Sequence, residues 1–246
     1  MFGGKLRSTV RASNQPDTVT TEDWRLLQLD IQVRFPSSHL YVLVTDLEAL
    51  RKHDSVHAVE DALARISHLQ LVELGPSGFN SASQQVQIEA LPPVLVLHLK
   101  RFLYDVAADD IAKTSKPVRF APELEIPLGT ISPLFPPCQS RLIIPRDSVD
   151  LEIMAPVAGK PAESPHYKLY GVLYHHGKSA GSGQYTVDLL HQSGEADSRE
   201  AWLRIDDEAV STVRHEDVFG GHGTEQVSDR SAYMLFYCRT APTQAL

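Results

Sequence analysis

The chain has 246 residues, 42% hydrophobic and 22% charged, which is enough for one sizeable domain or two small ones with an ordinary globular core. A net charge of −8 argues against a nucleic-acid footprint, and no run of about 18 apolar residues offers a membrane span. Two cysteines, Cys138 and Cys238, exclude a disulfide framework and a four-cysteine zinc site. With no apolar leader at the N-terminus, the expected location is the cytoplasm or nucleus, and neither metal nor cofactor is expected.

Residues 1–32 read as strands. Phe2 to Val10 alternates, Leu27 to Ile31 alternates again, and Ala12 to Thr21, with Asn14, Pro16 and Asp17, reads as the turn between them. Val56, Val59, Leu63 and Ile66 recur at spacings of three and four, which predicts an amphipathic helix over 55–68 with Ser55 as N-cap. Gly75 to Ser83 has loop composition. Val94-Leu95-Val96-Leu97-His98-Leu99 is nearly continuous apolar text and predicts a strand covered on both faces, with Lys100-Arg101 as its solvated exit. Short strand text follows at Val118–Phe120 and Leu124–Pro127. Gly129 to Pro165 is rich in proline and without period, so it reads as a surface insertion. Four antiparallel strands are then predicted at Tyr167–Tyr174, Tyr185–Leu190, Ala201–Asp206 and Ala232–Cys238, with a helical turn within Val210–Phe219.

The chemistry is concentrated between Tyr174 and Asp207. Tyr174-His175-His176-Gly177 leads into a Gly/Ser-rich loop that ends at Gly183-Gln184-Tyr185. Asp206-Asp207 lies twenty-two residues beyond Gln184. A thiol protease needs an imidazole beside its cysteine and a carboxylate or amide orienting that imidazole. This layout sets a base position and its orienting carboxylate on adjacent strands.

Here the chain resembles the ubiquitin-specific proteases. Leu95 to Phe102 is similar to that family's central palm strand, Tyr170 to Asp188 to its histidine box, Trp202 to Asp207 to its "W...DD" box, and Ala232 to Tyr237 to its terminal strand. The motifs occur in family order over most of residues 85–239, while residues 1–85 fit the fingers region less distinctively. The resemblance implies an α+β, papain-like fold, truncated to a mainly antiparallel β palm and fingers with few helices. It implies one partial catalytic domain over 1–239, interrupted by insertions near 33–52 and 129–150, and a frayed tail over 240–246. The implied reaction is thiol-dependent hydrolysis after the C-terminal Gly-Gly of ubiquitin, with ubiquitin and ubiquitylated proteins as partners.

Carried over by position, Asp206 resembles the third triad residue, Asp207 its acidic neighbour, and Gln184 the base position. His176, Gly177, Gly181, Gly183 and Tyr185 resemble a substrate-side loop whose small residues let a Gly-Gly tail pass. Three departures stand against an active enzyme. The cysteine box is absent from this sequence, so the chain is expected to start after the thumb. Gln184 stands where the family has histidine. The paired zinc-binding cysteines of the fingers are missing.

These departures predict a catalytically incomplete chain, or a non-catalytic ubiquitin-binding module. Its uncovered palm face would expose apolar surface and call for a partner chain. Cys238 is expected as a buried structural thiol and Cys138 as incidental. His98 is expected to hydrogen-bond within the sheet. His175 and His176 are set aside as surrogate bases, because their loop is expected on the wrong side of the Gly-rich turn.

Overall fold

The computed structural model describes residues 1–12, 15–32, 56–73, 81–105, 109–132, 164–179, 181–192, 200–219 and 229–240. The N-terminal text forms β1 (Gly4–Ala12), β2 (Thr18–Trp24) and β3 (Leu27–Leu29). The expected turn over 12–21 is therefore too long. Thr18, Val19, Thr20 and Thr21 are β-branched and pair with β1, from Gly4↔Trp24 to Val10↔Thr18. β1 pairs on its other edge with β5 (Ser81–Ala90), which also pairs with β4 (Gln70–Glu73). The result is a four-stranded sheet of order β2-β1-β5-β4. Ser81 to Ser83 thus belong to a strand rather than to the expected loop.

The helix is shorter than its apolar stripe. α1 spans Val59–Ile66, and its N-cap is Ala58. Ser55 lies outside the described residues. Ala58 has no side chain to cap with, so Asp61 reaches back and accepts from the amides of His57 and Ala58, both at 2.9 Å. Val56 precedes the helix yet is buried with Val59 and Leu63.

The larger sheet contains β6 (Val94–Leu99), β9 (Glu123–Glu125), β10 (His166–His176), β11 (Gln184–Gln192), β12 (Glu200–Asp206), β13 (Ala209–Val213) and β14 (Ser231–Arg239). Its order is β13-β12-β11-β10-β14-β6-β3, with β9 on β10. A separate hairpin pairs β7 (Phe102–Asp105) with β8 (Asp110–Lys113). The expected meander is confirmed in its strands but not in its order, because β14 returns to the far edge of β10. The helical turn is α2, His215–Phe219, and β13 occupies text assigned to no strand.

Opposed residues share a face, so register divides the sheet cleanly. Leu95, Leu97, Leu99, Leu235 and Tyr237 are fully buried against α1, β3 and the rest of the main core cluster. The other face carries the row Val210, Ile205, Val187, Leu173 and Met234, and beside it Leu203, Leu189 and Phe236. These side chains are half-buried or exposed, so this apolar part of the face is left uncovered among the described residues, while Val94, Val96 and His175 on the same face are buried.

Several expectations are corrected. Arg101 is not solvated but 2% exposed. Cys238 is exposed, because its position in β14 falls on the uncovered face; Cys138 lies outside the described residues. Residues 128–130 form a 3-10 turn whose Thr130, with the following Ile131 and Ser132, is buried, so the surface insertion cannot begin at Gly129. The 33–52 segment, residues 133–150 and the tail after Thr240 lie outside the described residues. No helix among the described residues is long and apolar enough to cross a membrane.

Candidate functional site

β10 and β11 form a hairpin in which His176 faces Gln184, Tyr174 faces Thr186, and His175 faces Tyr185. β12 lies on β11 with Val187↔Ile205 and Asp188↔Arg204, which carries Asp206 to the end of the sheet beside Gln184. There the Gln184 side-chain amide donates to the Asp206 carboxylate. The pair expected from a twenty-two-residue spacing is therefore brought together by strand pairing. Asp207 is placed differently. It is exposed in the two-residue turn joining β12 to β13, in the left-handed region at φ 50°.

His176 corrects an expectation. It lies in β10 rather than in the loop, directly opposite Gln184, and its Nε2 is 2.8 Å from Thr186 Oγ1. Tyr174, His176, Gln184, Thr186 and Asp206 share the core-side face at one end of the sheet. Burial, then the charges of Arg230, Arg204 and Lys113, lower the His176 pKa, and Asp206 partly opposes them.

The loop itself is closed tightly. Gly177 sits at φ 111°, a conformation that side chains resist. A Cβ on Gly183 would lie 2.3 Å from His175 Nε2 and 2.5 Å from the His176 carbonyl. Gly181 has open space around it, so nothing local demands glycine there. Tyr185 points to the opposite face from Gln184 and is 46% exposed. It packs edge-on to His175, ring centroids 5.0 Å apart, within an aromatic cluster that also holds Phe102, Tyr233 and His98.

Sequence reasoning missed the buried charges behind this site. Asp188 is fully buried and accepts from Arg204 Nε and Nη2, each at 2.8 Å, and from Arg230 Nη2 at 2.6 Å. The Arg230 guanidinium lies 3.5 Å from the Tyr174 ring centroid. The available signal was parity. Asp188 lies four residues after Gln184, at a core-facing position of a half-buried strand.

His98 was expected to hydrogen-bond in the sheet. Neither of its ring nitrogens has a hydrogen-bond partner among the described residues, and its ring instead meets Tyr233 edge-on at 4.7 Å. Burial, with Lys100, lowers its pKa from the ordinary 6.5; burial, with Lys113 and His176, does the same for His175. The folded chain therefore resists a proton that the unfolded chain accepts near 6.5. The stability contributed by these two neutral imidazoles is complete above that pH and is lost as the pH drops from there toward their lower folded-state values. Melting temperatures measured across this window should fall with pH, and His98→Phe should flatten the slope. An unchanged slope in the variant would remove His98 from the account.

No group of three or more potential metal ligands occurs among the described residues. The sequence profile of the family described as ubiquitin carboxyl-terminal hydrolase matches residues 1–237. The chain is 35% identical to a probable ubiquitin carboxyl-terminal hydrolase 3 of Schizosaccharomyces pombe, covering 97% of this chain and 39% of that protein. It is 31% identical to ubiquitin carboxyl-terminal hydrolase 10 of Rattus norvegicus, covering 97% and 24%. It thus spans about two fifths or less of these relatives. The fold is similar to that in the SAGA Ubp8/Sgf11/Sus1/Sgf73 DUB module bound to ubiquitin aldehyde, at TM-score 0.62 and 21% identity over 98% of this chain and 42% of that one. A module bound to monoubiquitin also has TM-score 0.62, at 20% identity over 98% and 41%. The α+β fold with its antiparallel palm and fingers is thereby accounted for, and the chain belongs to the ubiquitin carboxyl-terminal hydrolase family.

Proposed function

We propose that this chain is the palm-and-fingers part of a ubiquitin-specific protease, that it engages ubiquitin and its C-terminal tail, and that it does not hydrolyse ubiquitin conjugates by itself. The observation that carries the reading is the Gln184–Asp206 hydrogen bond. The carboxylate that would orient an imidazole instead accepts from a carboxamide. A carboxamide does not titrate near neutral pH, so it can neither generate a thiolate nor protonate a leaving amine.

Cys238 does not supply the nucleophile. It faces Lys168 on β10, eight residues from His176, or roughly 26 Å at ~3.3 Å per residue. The similar Ubp8 modules bound to ubiquitin aldehyde and to monoubiquitin support ubiquitin as the ligand in this reading. Tyr185, half exposed beside the Gly-rich loop, supplies an aromatic surface for that tail. The uncovered apolar face supports a partner chain, as Ubp8 has Sgf11, Sus1 and Sgf73. Two cysteines without a disulfide framework suit the cytoplasm or nucleus.

A second reading, an active deubiquitinase completed by another chain bearing the cysteine, is favoured by one observation. His176 stands opposite Gln184, and burial and nearby cations favour its neutral form, the form a general base needs.

The test is release of a fluorophore from the C-terminus of ubiquitin, run beside a ubiquitin-binding titration. The chain and its Gln184→His variant should both bind without turnover, because histidine alone supplies no nucleophile. Turnover by the unaltered chain alone would refute the inactive reading; turnover that appears only when a chain bearing the cysteine is added, and is lost in His176→Asn, would establish the second.

A further inference from the structure

Lys113 ends β8, and its ammonium donates to three backbone carbonyls: His175 at 3.2 Å, Gly177 at 2.6 Å and Asp229 at 3.1 Å. An ammonium has three protons, and three acceptors converge on it. They come from two regions far apart in sequence: the end of β10 with the first residue of the Gly-rich loop, and the residue two before β14. A further link joins the same hairpin to the loop, an isolated antiparallel bridge between Ala112 and Ser179.

The loop is therefore held at both feet. At Gly183 it is held by contact with His175 and His176. At Gly177, where φ is 111°, the loop's own backbone crosses within contact distance of the glycine, and the carbonyl is fixed by Lys113. Between the feet, Lys178, Gly181 and Ser182 are exposed.

We infer that Lys113 is the positioning residue of this loop: by tethering the His175, Gly177 and Asp229 carbonyls it holds the Gly177–Gly183 turn in the shape that receives ubiquitin's C-terminal tail. The inference rests on the ubiquitin-binding reading for its ligand, and on the geometry alone for the tether. Charge-assisted donation to carbonyls is stronger than neutral donation. Burial and the nearby Arg101 guanidinium work against the ammonium, so the carbonyls must compensate for its partial desolvation.

Two ligands test it: intact ubiquitin and ubiquitin lacking its last two glycines. Each is titrated against the chain and against Lys113→Met and Lys113→Arg, while amide hydrogen exchange is followed over 177–185. The unaltered chain should prefer intact ubiquitin. Lys113→Met should lose that preference by roughly tenfold, the scale of one charge-assisted hydrogen bond, with affinity for shortened ubiquitin unchanged. Amides of Gly181 to Tyr185 should exchange faster in Lys113→Met, while those of Leu95 to Leu99 stay protected. Lys113→Arg, which keeps the charge and several donors, should recover part of both effects.

A Lys113→Met variant with the tail preference and loop exchange of the parent overturns the inference. Loss of protection throughout Leu95–Leu99 would also overturn it, since Lys113 would then support the fold and not the loop. Absence of any ubiquitin binding by the unaltered chain overturns the function proposed above. The exchange arm then still decides whether Lys113 holds the loop.

Discussion

Replacing Asp188 by asparagine should destabilise the chain by about 3 kcal/mol, read as a shift in the urea midpoint at constant slope. Asp188 is fully buried, and its two oxygens satisfy Arg204 through two bonds and Arg230 through one. Asparagine keeps the shape and can still accept, but its amide nitrogen faces donors, and the site loses the charge that balances two guanidinium groups. Breaking a buried pair typically costs about 3–5 kcal/mol. The lower end applies because the Arg204 and Arg230 side chains remain 26% and 19% exposed and keep some hydration. In a chain of this size the melting temperature should fall by roughly 6–12 °C. A loss under about 1 kcal/mol would place the network with ordinary surface pairs.

The network also bears on the site. Arg204 is two residues before Asp206 on the same face of β12, and Arg230 packs on Tyr174, whose hydroxyl donates to the Val218 carbonyl at 3.2 Å. Asp188 thus joins β11, β12, the start of β14 and, through Tyr174, α2. The Gln184–Asp206 pair sits on β11 and β12, the two strands that this carboxylate ties together through Arg204. The Asp188→Asn variant should therefore weaken ubiquitin binding even at temperatures where it remains folded.

What was legible in the sequence follows from where the information lies. Val94 to Leu99 is a nearly unbroken apolar run, so its burial between β14 and β3 in the larger sheet can be read locally. β5 could not be read in the same way. Ser81-Ala82-Ser83-Gln84-Gln85 has neither apolar alternation nor a β-branched residue, and it becomes a strand by pairing with β1, more than seventy residues earlier. β13 was missed because Ala209–Val213 follows a two-residue turn at Asp207-Glu208, where Asp207 takes a positive φ without glycine to announce it.

The same distinction runs through the site. Gln184 and Asp206 were legible as a family spacing. His176 was misplaced because composition shows that a Gly-rich loop exists but not where its hairpin begins to pair. Cys238 and His98 sit among apolar neighbours, which suggested burial and satisfaction. Parity puts both on the outer face of the sheet, where Cys238 is exposed but His98 is covered by Tyr233 and keeps its ring nitrogens buried without a partner among the described residues. Arg101 was misread in the opposite sense. A charged residue at a strand exit is usually solvated, and only the return of β14 and of residues 114–116 encloses it.

That enclosure makes Arg101→Met the second large effect, a loss of about 4 kcal/mol. Arg101 donates to the carbonyls of Ala232, Thr114 and Lys116, the last two at 3.2 and 2.8 Å. Burial lowers its pKa to about 10, which leaves the guanidinium charged at neutral pH. Methionine fills the stem's volume but leaves three carbonyls without their donor, and each unsatisfied group costs about 1–3 kcal/mol less whatever water re-enters. Lysine should recover less than half, since one ammonium cannot reproduce the fork that spans β14 and the 114–116 stretch.

Arg101 and Lys113 are also linked. The Thr114 amide donates to the Arg101 carbonyl at 2.8 Å, and Arg101 in turn holds the Thr114 carbonyl, so the strand end that carries Lys113 is fixed from both sides. If that strand end is what delivers the Lys113 ammonium to the Gly177 carbonyl, Lys113→Met should cost less in an Arg101→Met background than in the parent. A double-mutant cycle should then give a coupling of at least about 0.5 kcal/mol. Strict additivity would mean that the two cations act on separate parts of the sheet, and that the loop is positioned by Lys113 without help from the buried guanidinium.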